Sequence, residues 1–503
     1  MPTVAPVFLV AVLLLVGVLA GKISGRFGIP ALLLFLVIGM LSGSDGPGGI
    51  EFIDVALTSQ VGSLALAFIL FSGGLDTRWN MVRPVLVPGL LLSTAGVLVT
   101  ALVAGLAATW IFEVPILVGL LIGVIVSPTD AAAVFPVLRA RSLGLRRRLG
   151  SLLEFESASN DPMAVILTIG LSELIVSSEG SAATLLVHVL REFALGAVVG
   201  LALAYGAIWL INRLRLEFEG LYPVLTVAIV LFVFSTTTAL GGSGFLAVYL
   251  AGLTMARKRL IHKRSIGRFH DGVGWLMQIA MFLLLGLLVF PSQLPSVALP
   301  GLALALVLMF LARPLAVVAS LLWFHFTWKD RALVSWVGLR GAVPIVLATF
   351  PLAAGVDGAN MIFHVVFFVV FLSVAVQGTT ISPLAKWLRL GKDTTESERP
   401  ELITGGETRR YLVDLPIPND SWVNGRRVIE LDLPPGSWVT LIARDDHYLV
   451  PQGPTVLHSG DRLTILASHA EYDKIKASFA RGRADDKLTL PSLRTKREAE
   501  DQT

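Results

Sequence analysis

Residues 126–134 read Val126-Ser127-Pro128-Thr129-Asp130-Ala131-Ala132-Ala133-Val134, and residues 337–344 read Val337-Gly338-Leu339-Arg340-Gly341-Ala342-Val343-Pro344. Each lies inside an otherwise apolar stretch and carries helix-breaking residues beside a charge. Pro128 and Pro344 are 216 positions apart. Outward from these breaks the chain stays apolar as far as Leu390. Of 503 residues 54% are hydrophobic and 15% charged, where a soluble domain carries about 25% charged residues. A bilayer crossing needs about 20 mostly apolar residues, and about thirteen such spans are predicted, near residues 4–21, 29–43, 57–75, 84–109, 114–138, 151–176, 184–211, 221–239, 243–256, 271–291, 298–325, 331–352 and 359–388. The 216-residue shift lays span 1 on span 8, span 4 on span 11 and span 6 on span 13. Seven spans separate the copies, an odd number, so the second copy is inverted. The expected fold is an all-α polytopic membrane protein of about thirteen transmembrane helices, in two inverted repeats with broken crossing helices, followed by a small cytoplasmic α/β domain.

The loops agree with an odd count. Alternate gaps carry Lys22 and Arg26, Arg78 and Arg83, Arg139 to Arg148, Arg213 and Arg215, the run Arg257 to Arg268, and Lys329 with Arg331. The other gaps are acidic, with Asp45, Glu51, Asp54, Glu113, Glu173, Glu179 and Asp357. Basic loops mark the cytoplasmic side, so the N-terminus is expected outside and the C-terminus inside. The stretch Val4–Ala20 lacks the basic start of a signal peptide and reads as the first span.

Composition and motif content exclude several function classes. A net charge of +4, with no basic cluster interleaved with aromatics, gives nucleic-acid binding no support. There are no cysteines, hence no disulfide, thiolate metal site or thiol catalysis. No Thr-Val-Gly-Tyr-Gly-type carbonyl filter is present for a potassium channel. His262, His270, His325 and His364 lack metal-ligand spacing, so no enzyme and no resident cofactor are expected.

Charged groups at membrane depth cost roughly 2.5–3.5 kcal/mol or more each and therefore need a partner or a task. The inventory is Asp130 in span 5, Glu154, Glu156 and Asp161 in span 6, Arg313 in span 11 and Arg340 in span 12. All lie in spans that the repeat picks out independently, and paired broken helices in inverted repeats point to a transport site at mid-membrane. A carboxylate in a narrow polar cavity binds a proton or a desolvated alkali cation but not both, and that competition is exchange. Asp161 follows Asn160, whose amide oxygen is a neutral hard ligand for the same cation. A single titrating carboxylate at this step implies one cation for one proton. Glu156, more than a turn before Asp161, is expected to neutralise Arg340 in a structural ion pair. Arg313, just before Pro314, is expected to compensate Asp130 or helix C-terminal carbonyls as a supporting charge. Glu154 has no assigned role.

The segments Ser127-Pro128-Thr129-Asp130, Glu156-Ser157-Ala158-Ser159-Asn160-Asp161-Pro162 and Gly338-Leu339-Arg340-Gly341-Ala342-Val343-Pro344 together resemble the NhaP branch of the cation:proton antiporters. Gly244-Phe245-Leu246-Ala247 and Ala251-Gly252-Leu253 add to the likeness, which covers roughly residues 5–390. It implies a homodimer in which a core (spans 4–6 and 11–13) moves against a dimerisation domain (spans 1–3 and 7–10), giving elevator-like alternating access. It also implies Asp161 as the carrier of cation and proton, Asn160 as the mark of electroneutral members, and Thr129 and Ser157 as further ligands. Span 3 departs from some sodium-transporting members, which carry an acid where Phe71-Ser72-Gly73-Gly74 offers only Ser72.

The membrane domain is expected over residues 1–390, a polar linker over 391–408, a soluble domain over 409–477 and a disordered tail over 478–503. Four short β-like runs mark the soluble part: Tyr411–Val413, Trp438–Ile442, Tyr448–Val450 and Leu463–Leu466. With its Gly425-Arg426-Arg427, Val450-Pro451-Gln452-Gly453 and Ser459-Gly460-Asp461 turns, it resembles the TrkA-C (RCK-C) domain of potassium regulators. That likeness implies a small cytoplasmic ligand such as a nucleotide. Together with Asn160-Asp161-Pro162 it resembles the potassium/proton (CvrA-like) subgroup of a bacterial inner membrane. K+/H+ exchange is therefore expected ahead of Na+/H+ exchange, with a cation channel a remote third.

Overall fold

The computed structural model describes residues 4–27, 31–52, 54–77, 79–140, 143–177, 182–393, 401–402, 410–431, 433–434, 436–445 and 447–479. The chain divides into two compact units, residues 1–393 and 394–503.

The first unit is helical. Helices α1 (Val4–Phe27), α2 (Ala31–Ser42) and α3 (Val55–Asp76) are followed by α4 (Trp79–Val82), α5 (Leu86–Leu91) and α6 (Val97–Phe112), which run on as one long rod. Next come α7 (Ile116–Ile125), α8 (Ala131–Ala140), strand β1 (Leu143–Leu145), α9 (Arg147–Ser177), α10 (Ala182–Arg213), α11 (Leu221–Ala239), α12 (Gly244–Arg257) and α13 (Lys263–Leu287). The unit closes with α14 (Leu294–Val307), α15 (Arg313–Leu321), α16 (Trp328–Trp336), α17 (Ala342–Ala354), α18 (Ala359–Trp387) and strand β2 (Gly391–Asp393). Helices cover all thirteen expected segments. Eight stretches are long and apolar enough to cross a bilayer, and five shorter apolar helices accompany them.

Small residues let these helices approach closely, as packing without a hydrophobic drive requires. A Cβ at Gly252 of α12 would lie 2.3 Å from the carbonyl oxygen of Phe71 on α3, and one at Gly74 of α3 would lie 2.5 Å from that of Tyr249 on α12. Either methyl would pry the two helices apart.

The internal repeat reaches into backbone detail. Residues Leu92–Gly96, between α5 and α6, form one π-helical turn, and Leu308–Ala312, between α14 and α15, form another. The two turns stand at the same 216-residue offset as Pro128 and Pro344. Both broken helices are also present: α7 stops at Ile125 and α8 starts at Ala131, while α16 stops at Trp336 and α17 starts at Ala342. Pro344 lies in the first turn of α17 rather than in the gap, a position where its missing N–H costs no helical bond.

The expected linker is more structured at its start than its polarity suggested. Residues Gly391–Asp393 pair antiparallel with Leu143–Leu145, and Glu401–Leu402 form strand β3; the rest of 391–408 lies outside the described residues. In the second unit the four β-like runs become β4 (Arg410–Pro416), β5 (Trp438–Arg444), β6 (His447–Leu449) and β7 (Arg462–Ala467). The sheet has the order β3-β4-β7-β5-β6, with its pairings antiparallel. Helix α19 (His469–Phe479) brings Ile475 and Phe479 into a core with Leu415, Ile442, Leu463 and Ile465. That helix enters the segment expected as tail, whose remainder, 480–503, lies outside the described residues.

Candidate functional site

The two breaks meet. The amide of Asp130, in the gap between α7 and α8, donates to the carbonyl of Leu339, in the gap between α16 and α17, at 2.7 Å. One amide and one carbonyl freed by the breaks are thus satisfied by each other inside protein, as non-helical chain at membrane depth demands. The glycines of Gly338-Leu339-Arg340-Gly341 have a steric reason. A Cβ on Gly341 would lie 1.8 Å from Asp130 Oδ2, and one on Gly338 would lie 2.5 Å from Arg313 Nε. Each glycine admits a charged side chain against the backbone at the mouth of a half-helix. Asp130 therefore sits where the N-terminal end of α17 presents its partial positive charge.

Helix α9 supplies the other wall. Ser157 Oγ accepts from the Ala131 amide at 2.9 Å, capping the start of α8. Asn160 Nδ2 donates to Thr129 Oγ1 at 2.8 Å, which turns Asn160 Oδ1 away. Asn160 and Asp161 are both buried, and Asn160 Oδ1 and Asp161 Oδ1 have no hydrogen-bond partner. Buried polar atoms are paired in the great majority of cases. Two buried, unmatched oxygens on consecutive residues, one anionic and one neutral, are groups a desolvated monovalent cation or a proton can pair with. Among the described residues no group of three His, Cys, Asp or Glu side chains could hold a metal ion. The structure thus brings together Thr129, Asp130, Ser157, Asn160 and Asp161 around one crossing.

The expected Glu156–Arg340 ion pair is not formed. Glu156 is held by Arg313 instead, with Nη1–Oε1 at 2.5 Å and Nη2–Oε2 at 2.9 Å, both side chains buried. The guanidinium fork of Arg313 matches both carboxylate oxygens. Arg313 directly follows the π-helical turn at Leu308–Ala312, at the start of α15, and also donates to the Val334 carbonyl. Of its two expected roles, the one toward helix C-terminal carbonyls is met at Val334, near the end of α16, and its charge is matched by Glu156. Arg340 is 1% exposed. Its Nη1 donates to the Gly338 carbonyl, and its Nε and Nη2 have no partner.

Four further contacts were not anticipated. Ser159 Oγ and the hydroxyl of Tyr249 on α12 lie 3.1 Å apart, linking the turn before Asp161 to a neighbouring helix. On α18, Ser373 Oγ accepts from the Arg340 amide at 3.1 Å and donates to Gln377 Oε1, while Gln377 Nε2 donates to the Trp336 carbonyl. Ser373 and Gln377 stand at the 216-residue offset from Ser157 and Asp161, so the second repeat places an amide where the first places an acid. That signal was available in the sequence; the Tyr249 contact was not.

The pattern of the sodium/hydrogen exchanger transmembrane domain matches residues 10–387. The chain belongs to the sodium/hydrogen exchanger family. The TrkA-C domain pattern matches residues 412–480 of this exchanger. It is 41% identical to the K(+)/H(+) antiporter NhaP of Alkalimonas amylolytica over 493 residues, 96% of this chain and 84% of that protein. It is 43% identical to the K(+)/H(+) antiporter NhaP2 of Shewanella sp. (strain MR-4) over 477 residues, 93% and 82% of the two chains. Among solved structures, the sodium proton antiporter MjNhaP1 from Methanocaldococcus jannaschii at pH 8 superposes with a TM-score of 0.68 at 26% identity, covering 77% of this exchanger and 99% of that chain.

Proposed function

We propose that this exchanger swaps one K+ for one H+ electroneutrally, with Asp161 as the group for which the two ions compete. One observation carries the reading: Asp161 Oδ1 and Asn160 Oδ1 are buried, adjacent in sequence and unpartnered at the crossing of two half-helices. Glu156 is already neutralised by Arg313, which leaves Asp161 as the acid that changes occupant during turnover. Thr129 and Ser157, fixed by their bonds to Asn160 and to the start of α8, hold the local geometry and stand near enough in the chain to serve as further ligands. Asp130 balances the half-helix end. Potassium is preferred because relatives at 41–43% identity across nearly the whole chain are named K+/H+ antiporters and because a TrkA-C domain follows the membrane unit. The sodium reading is supported by the solved neighbour, a sodium proton antiporter, at lower identity.

The proposal extends to the working cycle. A homodimer in a bacterial inner membrane, N-terminus outside and TrkA-C domain cytoplasmic, carries the ion by moving a core of spans 4–6 and 11–13 past the remaining helices. The cytoplasmic domain binds a small ligand such as a nucleotide and biases the two facing states only by its differential affinity for them. Proton flux in sealed proteoliposomes, with K+, Na+, Rb+ and Li+ offered in turn, tests the selectivity. Flux highest with K+ is expected; flux with Na+ alone overturns potassium in favour of sodium.

A further inference from the structure

At one end of the membrane unit the start of α9, the start of α16 and the end of α18 enclose a cavity of about 440 Å3. Its lining includes Arg146, Lys329 and Arg389, three cations contributed by chain segments far apart in sequence. No carboxylate among the described residues pairs with any of them. The nearby acid, Asp330, is committed to the helix cap, accepting from the Thr327 amide at 2.9 Å and from its hydroxyl. Neighbouring cations have found structural work. Arg148 donates to the His325 carbonyl and lies 4.3 Å over the Phe326 ring, and Arg331 donates to the carbonyls of Leu321 and Leu322. Lys329 Nζ lies 5.9 Å over the Trp328 ring, and the side chains of Arg146, Lys329 and Arg389 have no hydrogen-bond acceptor among the described residues. Three cations that line one hollow offer complementary charge to an anion.

The surroundings define the kind of anion. Trp328 at the start of α16 and Trp387 at the end of α18 are 65% and 74% exposed, as is Trp323 just before α16 at 79%, and exposed indoles mark the headgroup level of a bilayer. Basic pockets between helices at that level suit phosphate headgroups. We propose that this cavity binds a phosphate-bearing anion, carried by an anionic lipid headgroup or by a soluble phosphate ester. Bound there, it ties the ends of α9, α16 and α18 together, and α9 carries Asn160 and Asp161. The site stands whether or not the exchanged cation is potassium.

The test uses the full chain, delipidated in detergent, with half-saturation read from the rise in unfolding temperature. Cardiolipin, phosphatidylcholine, ATP and inorganic phosphate are titrated separately. The Arg146→Gln/Lys329→Gln/Arg389→Gln triple variant is compared with the unaltered protein. A saturable shift is expected, weakened about a hundredfold in the triple variant, since each basic residue near an anionic surface contributes about a factor of five. A shift with cardiolipin alone assigns a lipid; a shift with ATP or phosphate, also lost in the triple variant, assigns a soluble ester. If the triple variant fails to fold, Arg146→Gln and Arg389→Gln singly are each expected to weaken binding about fivefold. No saturable shift with any of the four, or a shift the substitutions leave unchanged, overturns the proposal.

Discussion

Replacing Arg313 and Arg340 one at a time separates the two buried arginines by their partners. Arg313 makes two charge-assisted bonds to Glu156, at 2.5 and 2.9 Å, with side-chain exposures of 4% and 1%. Arg313→Met keeps the apolar stem but leaves Glu156 buried, charged and without its fork. Removing one member of such a pair costs about 3–5 kcal/mol, most of it the uncompensated charge rather than the bonds themselves. Arg340 differs. Its substitution by Met removes one bond, to the Gly338 carbonyl, worth roughly 1.5–3 kcal/mol for a charged donor. The same change also removes two buried N–H groups without partners and a cation close to Arg313, which offsets part of that loss. Thermal unfolding of the purified protein in detergent should therefore show a fall of several degrees for Arg313→Met and a clearly smaller one for Arg340→Met. The double variant Glu156→Gln/Arg313→Met should recover part of the loss by removing the orphaned charge. Equal or greater destabilisation by Arg340→Met, with no recovery in the double variant, refutes the Glu156–Arg313 assignment.

Tyr249→Phe deletes the bond between α12 and Ser159, worth about 1 kcal/mol; turnover should change a few-fold with cation affinity held, and an affinity change alone would make Tyr249 a ligand instead. An imposed membrane potential should leave the exchange rate nearly unchanged, whereas a rate that tracks voltage would bring Asp130 into the proton cycle. In the second unit, burial raises the Asp461 carboxyl, but bonds from Arg444 at 2.7 Å and from the His458 amide at 2.8 Å outweigh it and hold the group below the usual carboxylate range. A depressed folded pKa stabilises above the unfolded value and is lost as pH falls through the folded one, so Asp461→Asn should lower the domain's unfolding temperature at neutral pH, with the gap closing below about pH 4. A gap that persists at low pH would show packing, not charge, to be responsible.

What the residues revealed in advance is what local pattern can carry. Span length, the 216-residue offset and the two breaks depend on hydropathy and helix-breaking residues, and the helices lie where those signals put them. Strands β4 to β7 follow alternation that a soluble sheet needs. Pairing of charges is another matter. Glu156 and Arg313 are 157 residues apart, and their meeting depends on how α15 leaves its π-helical turn beside α9, which no hydropathy window encodes. Arg340 was the more obvious partner because it shares the broken-helix motif, yet its side chain folds back on Gly338. The π-helical turn at Leu92–Gly96 contains no proline, the one at Leu308–Ala312 is followed by Pro314, and their recurrence at the repeat offset is the signal the two share.

The central claim is that Asp161 is where cation and proton compete. Proton flux driven by a K+ gradient, measured in proteoliposomes holding equal amounts of the unaltered protein and of Asp161→Asn, tests it most directly. The substitution keeps the side chain's shape and removes its ability to hold either ion as an anion. The account predicts a well-folded variant with no cation-driven proton movement at any pH tried; near-normal exchange by that variant would contradict it.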